Sequence, residues 1–173
     1  NTTTKEFDII KLNSTVDVTV TPDGVHYVGD SFTIKVTNNT VAKVTINGKE
    51  YAILSDGTVN VSTADLAAGE YTVVATTPEN AKYYGNESTA NFTIIKKASS
   101  VKVSVDPTHM YGTVFNIAVE NNTLVNVTIN GKAYSVNADG TVNVDTSELP
   151  TGHYVVIATI YENAKYLGNT TTK

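Results

Sequence analysis

The chain has 173 residues, enough for one large domain or two small ones, and carries 12 basic against 17 acidic residues for a formal net charge of −5. Every basic residue is Lys and none is Arg. That excludes bidentate guanidinium recognition of phosphate and, with no clustered basic face, a nucleic-acid partner. Cys is absent, which excludes disulfides, thiolate metal sites and thiol nucleophiles, and no run approaches the ~18 apolar residues of a membrane helix, so no membrane insertion is expected.

Thr, Val and Asn dominate, with ten Tyr, a composition suited to pleated, half-buried surfaces. The fold class is therefore all-β. In chain order, Phe7-Asp8-Ile9-Ile10-Lys11 reads as a strand, and alternation follows at Val16, Val18 and Val20, then at Phe32, Ile34 and Val36. Val44 and Ile46 lead into Asn47-Gly48, a two-residue hairpin whose central positions need positive φ. Tyr51 and Ile53 return, Ser55-Asp56-Gly57 turns the chain, and Val59 and Val61 form the next strand. Tyr71, Val73 and Ala75 precede a last strand at Phe92 and Ile94. Seven short strands with turns between them and no helical period predict a β-sandwich.

The chain then repeats itself. Val44-Thr45-Ile46-Asn47-Gly48-Lys49 recurs at 127–132, Asp56-Gly57-Thr58-Val59-Asn60-Val61 at 139–144, and Glu79-Asn80-Ala81-Lys82-Tyr83 at 162–166, all at an offset of 83. Phe7-Asp8-Ile9-Ile10-Lys11 matches Phe92-Thr93-Ile94-Ile95-Lys96 at an offset of 85, as Pro22 matches Pro107; a two-residue deletion between Pro107 and Tyr111 reconciles the two. A period of this length is that of a self-contained sandwich rather than a solenoid unit of ~20–50 residues. Residues 1–12 thus read as the last strand of a preceding repeat, 13–97 as a first immunoglobulin-like repeat, and 98–173 as a second repeat lacking its own last strand. The short join at Lys96-Lys97-Ala98-Ser99-Ser100 predicts a semi-rigid rod.

Asn1-Thr2-Thr3-Thr4-Lys5 also recurs as Asn169-Thr170-Thr171-Thr172-Lys173, in register with the domain repeat. A two-domain cassette repeated along one giant chain explains this more readily than a chance likeness between Thr-rich linkers. A subunit that polymerises through residues 1–12 is the competing reading. Under both, Phe7, Ile9 and Ile10 belong against a sandwich other than that of residues 13–97, in the place that Phe92 and Ile94 hold in the first repeat. A sandwich without that strand exposes a cleft and unpaired edges, which donor-strand complementation would fill.

Each copy places a Tyr after a glycine turn, Leu66-x-x-Gly69-x-Tyr71 and Leu149-x-x-Gly152-x-Tyr154, the pattern of a tyrosine corner. Asn1, Asn13, Asn38, Asn60, Asn86, Asn91, Asn121, Asn126 and Asn169 each open an N-glycosylation sequon, although a chain rich in Asn and Thr also generates these by chance. Tyr83, Tyr84 and Tyr166 either close the end of each sandwich by packing or contact a glycan or protein ligand. His26, His109 and His153 read as solvated loop residues without metal-ligand spacing, and no nucleophile elbow accompanies the Ser, His and Asp present. No catalytic residue, metal or cofactor is expected. Every Lys falls at a turn, a terminus or an outward position, against an intramolecular isopeptide bond.

Taken in order, Phe-Thr-Ile-Ile-Lys-Lys, Val-x-Val-x-Val, the Asn-Gly-Lys hairpin, Asp-Gly, Leu-x-x-Gly-x-Tyr and Asn-x-Lys-Tyr resemble the group 3 bacterial and archaeal Ig-like repeats of large surface adhesins. The composition is similar to that of Thr- and Asn-rich adhesin-like proteins of methanogenic archaea. The resemblance covers essentially the whole chain. It implies a non-catalytic extracellular stalk, filament or adhesin at the cell surface, with neighbouring repeats or copies of itself head-to-tail as partners, or a cell-surface glycan or protein. Ester cross-links found in some relatives need Gln, which this chain lacks.

Overall fold

The computed structural model describes residues 1–173 and divides into two compact units, Asn1–Ile95 and Lys96–Lys173. The first unit contains β1 (Val16–Thr21), β2 (Val25–Tyr27), β3 (Ser31–Asn38), β4 (Lys43–Ile46), β5 (Lys49–Tyr51), β6 (Thr58–Ser62), β7 (Gly69–Thr77) and β8 (Asn86–Ile95). These form two sheets, β1-β3-β6 and β2-β8-β7-β4-β5, antiparallel except where β2 runs parallel to β8. Alternation decides which face is buried. Phe32, Ile34 and Val36 point inward from β3, Val59 and Val61 from β6, and they share one core with Val44, Ile46, Val73, Ala75, Phe92 and Ile94 of the other sheet. Each of the Val, Ile and Phe side chains among them contributes about 1.5–3 kcal/mol by leaving water.

Turn chemistry sets the register. Asn47 and Gly48 lie at φ 45° and 84°, as does the twin pair Asn130 and Gly131 at 45° and 83°. The Asp56 carboxylate accepts from the backbone N–H of Thr58 at 3.0 Å and from its hydroxyl at 2.6 Å, and Asp139 repeats this with Thr141 at 3.1 and 2.6 Å. Hydrogen bonds from these hydroxyls, then from the N–H groups, hold Asp56 and Asp139 below the usual carboxylate range, as bonds from Ser147 hold Asp145. A depressed carboxylate stabilises the fold above its unfolded value, and that contribution fades as pH falls through the folded one. Urea midpoints should therefore drop on acidification below the ordinary Asp range, with a shallower acid limb in a D56N/D139N/D145N variant.

The second unit contains β9 (Val101–Ser104), β10 (Val114–Asn121), β11 (Asn126–Ile129), β12 (Lys132–Tyr134), β13 (Thr141–Asp145), β14 (Val156–Ile160) and β15 (Asn169–Thr172). Its sheets are β13-β10-β9 and β12-β11-β14-β15, enclosing a core of Val103, Ile117, Val119, Val127, Ile129, Val142, Val144, Val156, Ala158 and Ile160. Both units are immunoglobulin-like β-sandwiches.

The first unit departs from the sequence reading in two respects besides residues 7–11, which the sequence reads as a strand and which lie outside every strand. It holds eight strands rather than seven, because residues 25–27, read as loop, pair in parallel with Thr93, Ile94 and Ile95. His26 is consequently not solvated. It is buried, stacked on Phe32 with ring centroids 3.9 Å apart and edge-on to Phe92 at 6.0 Å. A three-residue strand that gains its partner 68 residues later leaves no periodicity to read.

Candidate functional site

The informative site is the difference between the two sandwiches. In the first, β8 is ten residues long and its second half delivers Phe92 and Ile94, both nearly inaccessible, into the core. Phe92 lies opposite Tyr71 on β7, stacks on its ring at 5.3 Å and meets Phe32 edge-on at 4.8 Å. In the second, β15 is four residues long and ends its ladder at Val156, which exchanges backbone bonds of 2.8 and 2.9 Å with Lys173. The counterparts of Asn91 through Ile95 would follow Lys173.

Where those residues would sit, the second unit has a groove of about 540 Å³ lined by His109, Phe115, Leu149, Tyr154, Ile129 and Val156, among others. Several departures from the first unit surround this groove. Phe32 is buried but its counterpart Phe115 is only half-buried, and His26 is buried but His109 is exposed, although His109 and Phe115 still stack with ring centroids 3.5 Å apart. Residues 108–110, the counterparts of β2, form no strand, and the counterparts of the Thr93–Ile95 backbone that β2 pairs with fall beyond Lys173. Likewise β7 begins at Gly69 whereas β14 begins only at Val156. The 83-residue offset pairs these residues one by one, so the sequence already carried the signal for His109 and Phe115 as groove residues.

The residues expected to exchange are exposed: Phe7 by 84%, Ile9 by 89% and Ile10 by 79%. Residues 1–11 lie outside every strand. Ordered contact with the first sandwich begins at Lys11 and Leu12. Leu12 donates to Lys82 O at 2.8 Å and accepts from Tyr84 N–H at 2.9 Å, while Lys11 pairs with Glu79. Lys97 repeats this in the second unit, donating to Lys165 O at 2.8 Å and accepting from Leu167 N–H at 2.9 Å, beside a Lys96–Glu162 pair. The loop doing the gripping is itself fixed by an Asn side chain: Asn80 accepts from the N–H groups of Lys82 and Tyr83, and Asn163 from those of Lys165 and Tyr166.

Tyr83 and Tyr166 are accordingly half-buried in a backbone clamp. Tyr84 is 44% exposed, with Lys11 Nζ 5.9 Å above its ring, but its twin position is Leu167. The hydroxyl of Tyr71 donates to Ala67 O at 2.9 Å and that of Tyr154 to Pro150 O at 2.7 Å, each bonding four residues upstream. Tyr71→Phe and Tyr154→Phe should each cost their own sandwich about 1 kcal/mol, read from urea unfolding.

All the sequon asparagines, Asn1, Asn13, Asn38, Asn60, Asn86, Asn91, Asn121, Asn126 and Asn169, are exposed. Their surroundings differ. Asn86 and Asn169 use their amides to hold Ser14 O and Ser99 O at 2.9 and 3.0 Å, and Asn38 and Asn121 close local turns onto Thr40 O and Thr123 O. Asn60, Asn91 and Asn126 stand on the outer faces of β6, β8 and β11, beside buried Val59, Phe92 and Val127.

No family model and no curated protein matches the chain. Among solved structures it is similar to the fibronectin(III)-like modules of Clostridium thermocellum CbhA, at 11% identity and a TM-score of 0.36 over 90% of this chain and 92% of that one. It is also similar to titin domains z1z2 in complex with telethonin, at 16% identity and a TM-score of 0.41 over 90% and 93%. The N-terminal four Ig domains of Dscam1 isoform 6.9 match at 14% identity and a TM-score of 0.34, over 91% of this chain and 45% of that one. At these scores the fold assignment rests on the strand pairing itself.

Proposed function

We propose that the chain is a non-catalytic structural and adhesive repeat unit of an extracellular cell-surface fibre or stalk. One observation carries this reading. Each sandwich grips the segment leading into it with the same two backbone bonds and the same Lys–Glu pair, Leu12 with Lys11 and Glu79 in one, Lys97 with Lys96 and Glu162 in the other. A grip reproduced at each entry is what a string of beads under tension requires, and it is compatible with residues 1–12 being the last strand of a preceding repeat.

The resemblance to group 3 Ig-like repeats and to adhesin-like proteins of methanogens supports an archaeal surface address for such a fibre. Outward sequons such as Asn60 and Asn126 suit a glycoprotein, because a glycan there leaves the core undisturbed. A glycan- or protein-binding role for the Tyr83 and Tyr166 loops is less favoured, since their backbone is already engaged with Leu12 and Lys97. Gold-labelled antibody against the folded chain should decorate fibres on intact producing cells. Label confined to the cell interior would end the proposal.

A further inference from the structure

We propose that Asn126 is the glycosylated asparagine of the second sandwich, and that the first sugar of its glycan lies in a separate groove beside it, lined by Leu124, Ala133 and Asn137 among others. This rests on the surface-fibre reading, since N-glycosylation acts on exported chains, and it names one modification site within that reading.

Within the two sandwiches the sequons sort by what their side chains already do. Asn38 and Asn121 donate to Thr40 O and Thr123 O, Asn86 and Asn169 to Ser14 O and Ser99 O, and Asn91 accepts from the Thr72 hydroxyl at 3.0 Å. Asn13 lies in backbone held by Asn39, whose side chain donates to Asn13 O at 3.2 Å and accepts from the Thr15 N–H at 2.8 Å. Asn60 is free, but the hydroxyl of Ser62, the third residue of its sequon, accepts from the Ala64 N–H at 3.3 Å and caps the 3-10 turn. In Asn126-Val127-Thr128 neither the amide nor the Thr hydroxyl makes a hydrogen bond, and alternation about buried Val127 sets both on the outer face. The transfer needs both groups unengaged. The anomeric carbon of a lipid-phosphate-linked oligosaccharide bonds to Asn126 Nδ2, its C–O bond breaks with the electron pair leaving on the lipid phosphate, and Nδ2 gives up one proton.

The groove supplies the second, independent observation. It measures about 1030 Å³, at the upper end of the ~300–1,000 Å³ typical of ligand clefts, and borders β12, the edge of its sheet away from β15. The first sandwich has Lys43 at the position of Asn126, Glu50 at that of Ala133 and Leu54 at that of Asn137. Thr45 and Thr128 are alike in the two copies, so the single change from Lys to Asn creates the sequon, and the change from Glu to Ala clears the surface next to it. Leu124 at the rim is 82% exposed, and the C–H face of a pyranose would cover it while the ring hydroxyls stay in water. Asn137 donates through Nδ2 to the Thr141 hydroxyl at 3.1 Å, which leaves its Oδ1 as an acceptor for one of those hydroxyls.

The test uses protein from producing cells and an N126Q variant made in the same cells, whose altered side chain is exposed and unbonded. Glycopeptide mass spectrometry with electron-transfer fragmentation should find a glycan on Asn126 and none on Asn38, Asn86 or Asn121, and N126Q should lose that mass. Amide exchange at Leu124 and across 133–137 should be about 3- to 10-fold slower in the glycosylated chain than in N126Q, as the sugar covers the rim. A bare Asn126 in chains that carry surface label would overturn the proposal and leave the fibre reading standing. Glycans spread evenly over all the sequons, or equal exchange in the two forms, would also overturn it. A glycan on Asn126 with slowed exchange, in chains that never reach the surface, would uphold the site and remove only the fibre reading.

Discussion

Phe92→Ala should cost the first sandwich about 3–5 kcal/mol, the range for truncating a fully buried aromatic. Phe92 is 2% exposed and joins three other rings, Tyr71, Phe32 and His26, so its removal opens a cavity and leaves His26 without one of its two aromatic neighbours. The comparison with Phe115→Ala separates burial from residue type. Phe115 lies on the open groove, half-buried and stacked only on His109, so its loss should cost about half as much. Urea unfolding followed by Tyr emission measures both, since the chain has no Trp. Equal costs would mean that the groove is closed in solution.

Thr63→Val should destabilise the first sandwich by about 2–4 kcal/mol although the side chain keeps its shape. The Thr63 hydroxyl is wholly buried, accepts from the Gly29 N–H at 2.8 Å and donates to Asp30 O at 2.7 Å, tying the segment between β2 and β3 to the short 3-10 turn Thr63–Asp65. A valine there strands the Gly29 N–H in an apolar environment, and that desolvation is the larger part of the cost. Hydrogen exchange at Gly29 should accelerate in the variant under conditions where exchange in β7 is unchanged. Thr146, its counterpart, is 9% exposed and accepts from the Thr113 N–H at 2.9 Å, so Thr146→Val should cost less.

The asymmetry between the sandwiches explains what was legible in the sequence. Alternation at Phe32, Ile34, Val36 and at Val59, Val61 located strands because one face of each is buried and the other wet. Asn47-Gly48 located a hairpin because few other residue pairs accept two positive φ values. The repeat offset placed the counterparts of Asn91 through Ile95 after Lys173. It could not show that residues 25–27 pair with β8 or that His26 is buried, since both depend on contacts distant in sequence. The tyrosine pairs were ambiguous for a similar reason: Tyr71 shows its role only through a bond to Ala67 O, and Tyr83 through the backbone of Leu12. The Thr63 hydroxyl network left no signal, since a buried Thr and an exposed one look alike on the page.

The central claim is that a Phe-x-Ile-Ile strand completes the second sandwich, and appending Glu-Phe-Asp-Ile-Ile-Lys after Lys173 tests it most directly. The two added apolar side chains should raise the stability of that unit by about 3–6 kcal/mol. In a thermal or urea scan its transition should move up toward that of the first unit, with new exchange protection at Tyr154 and Val155. An extended chain whose unfolding and exchange match those of residues 1–173 alone would contradict the account.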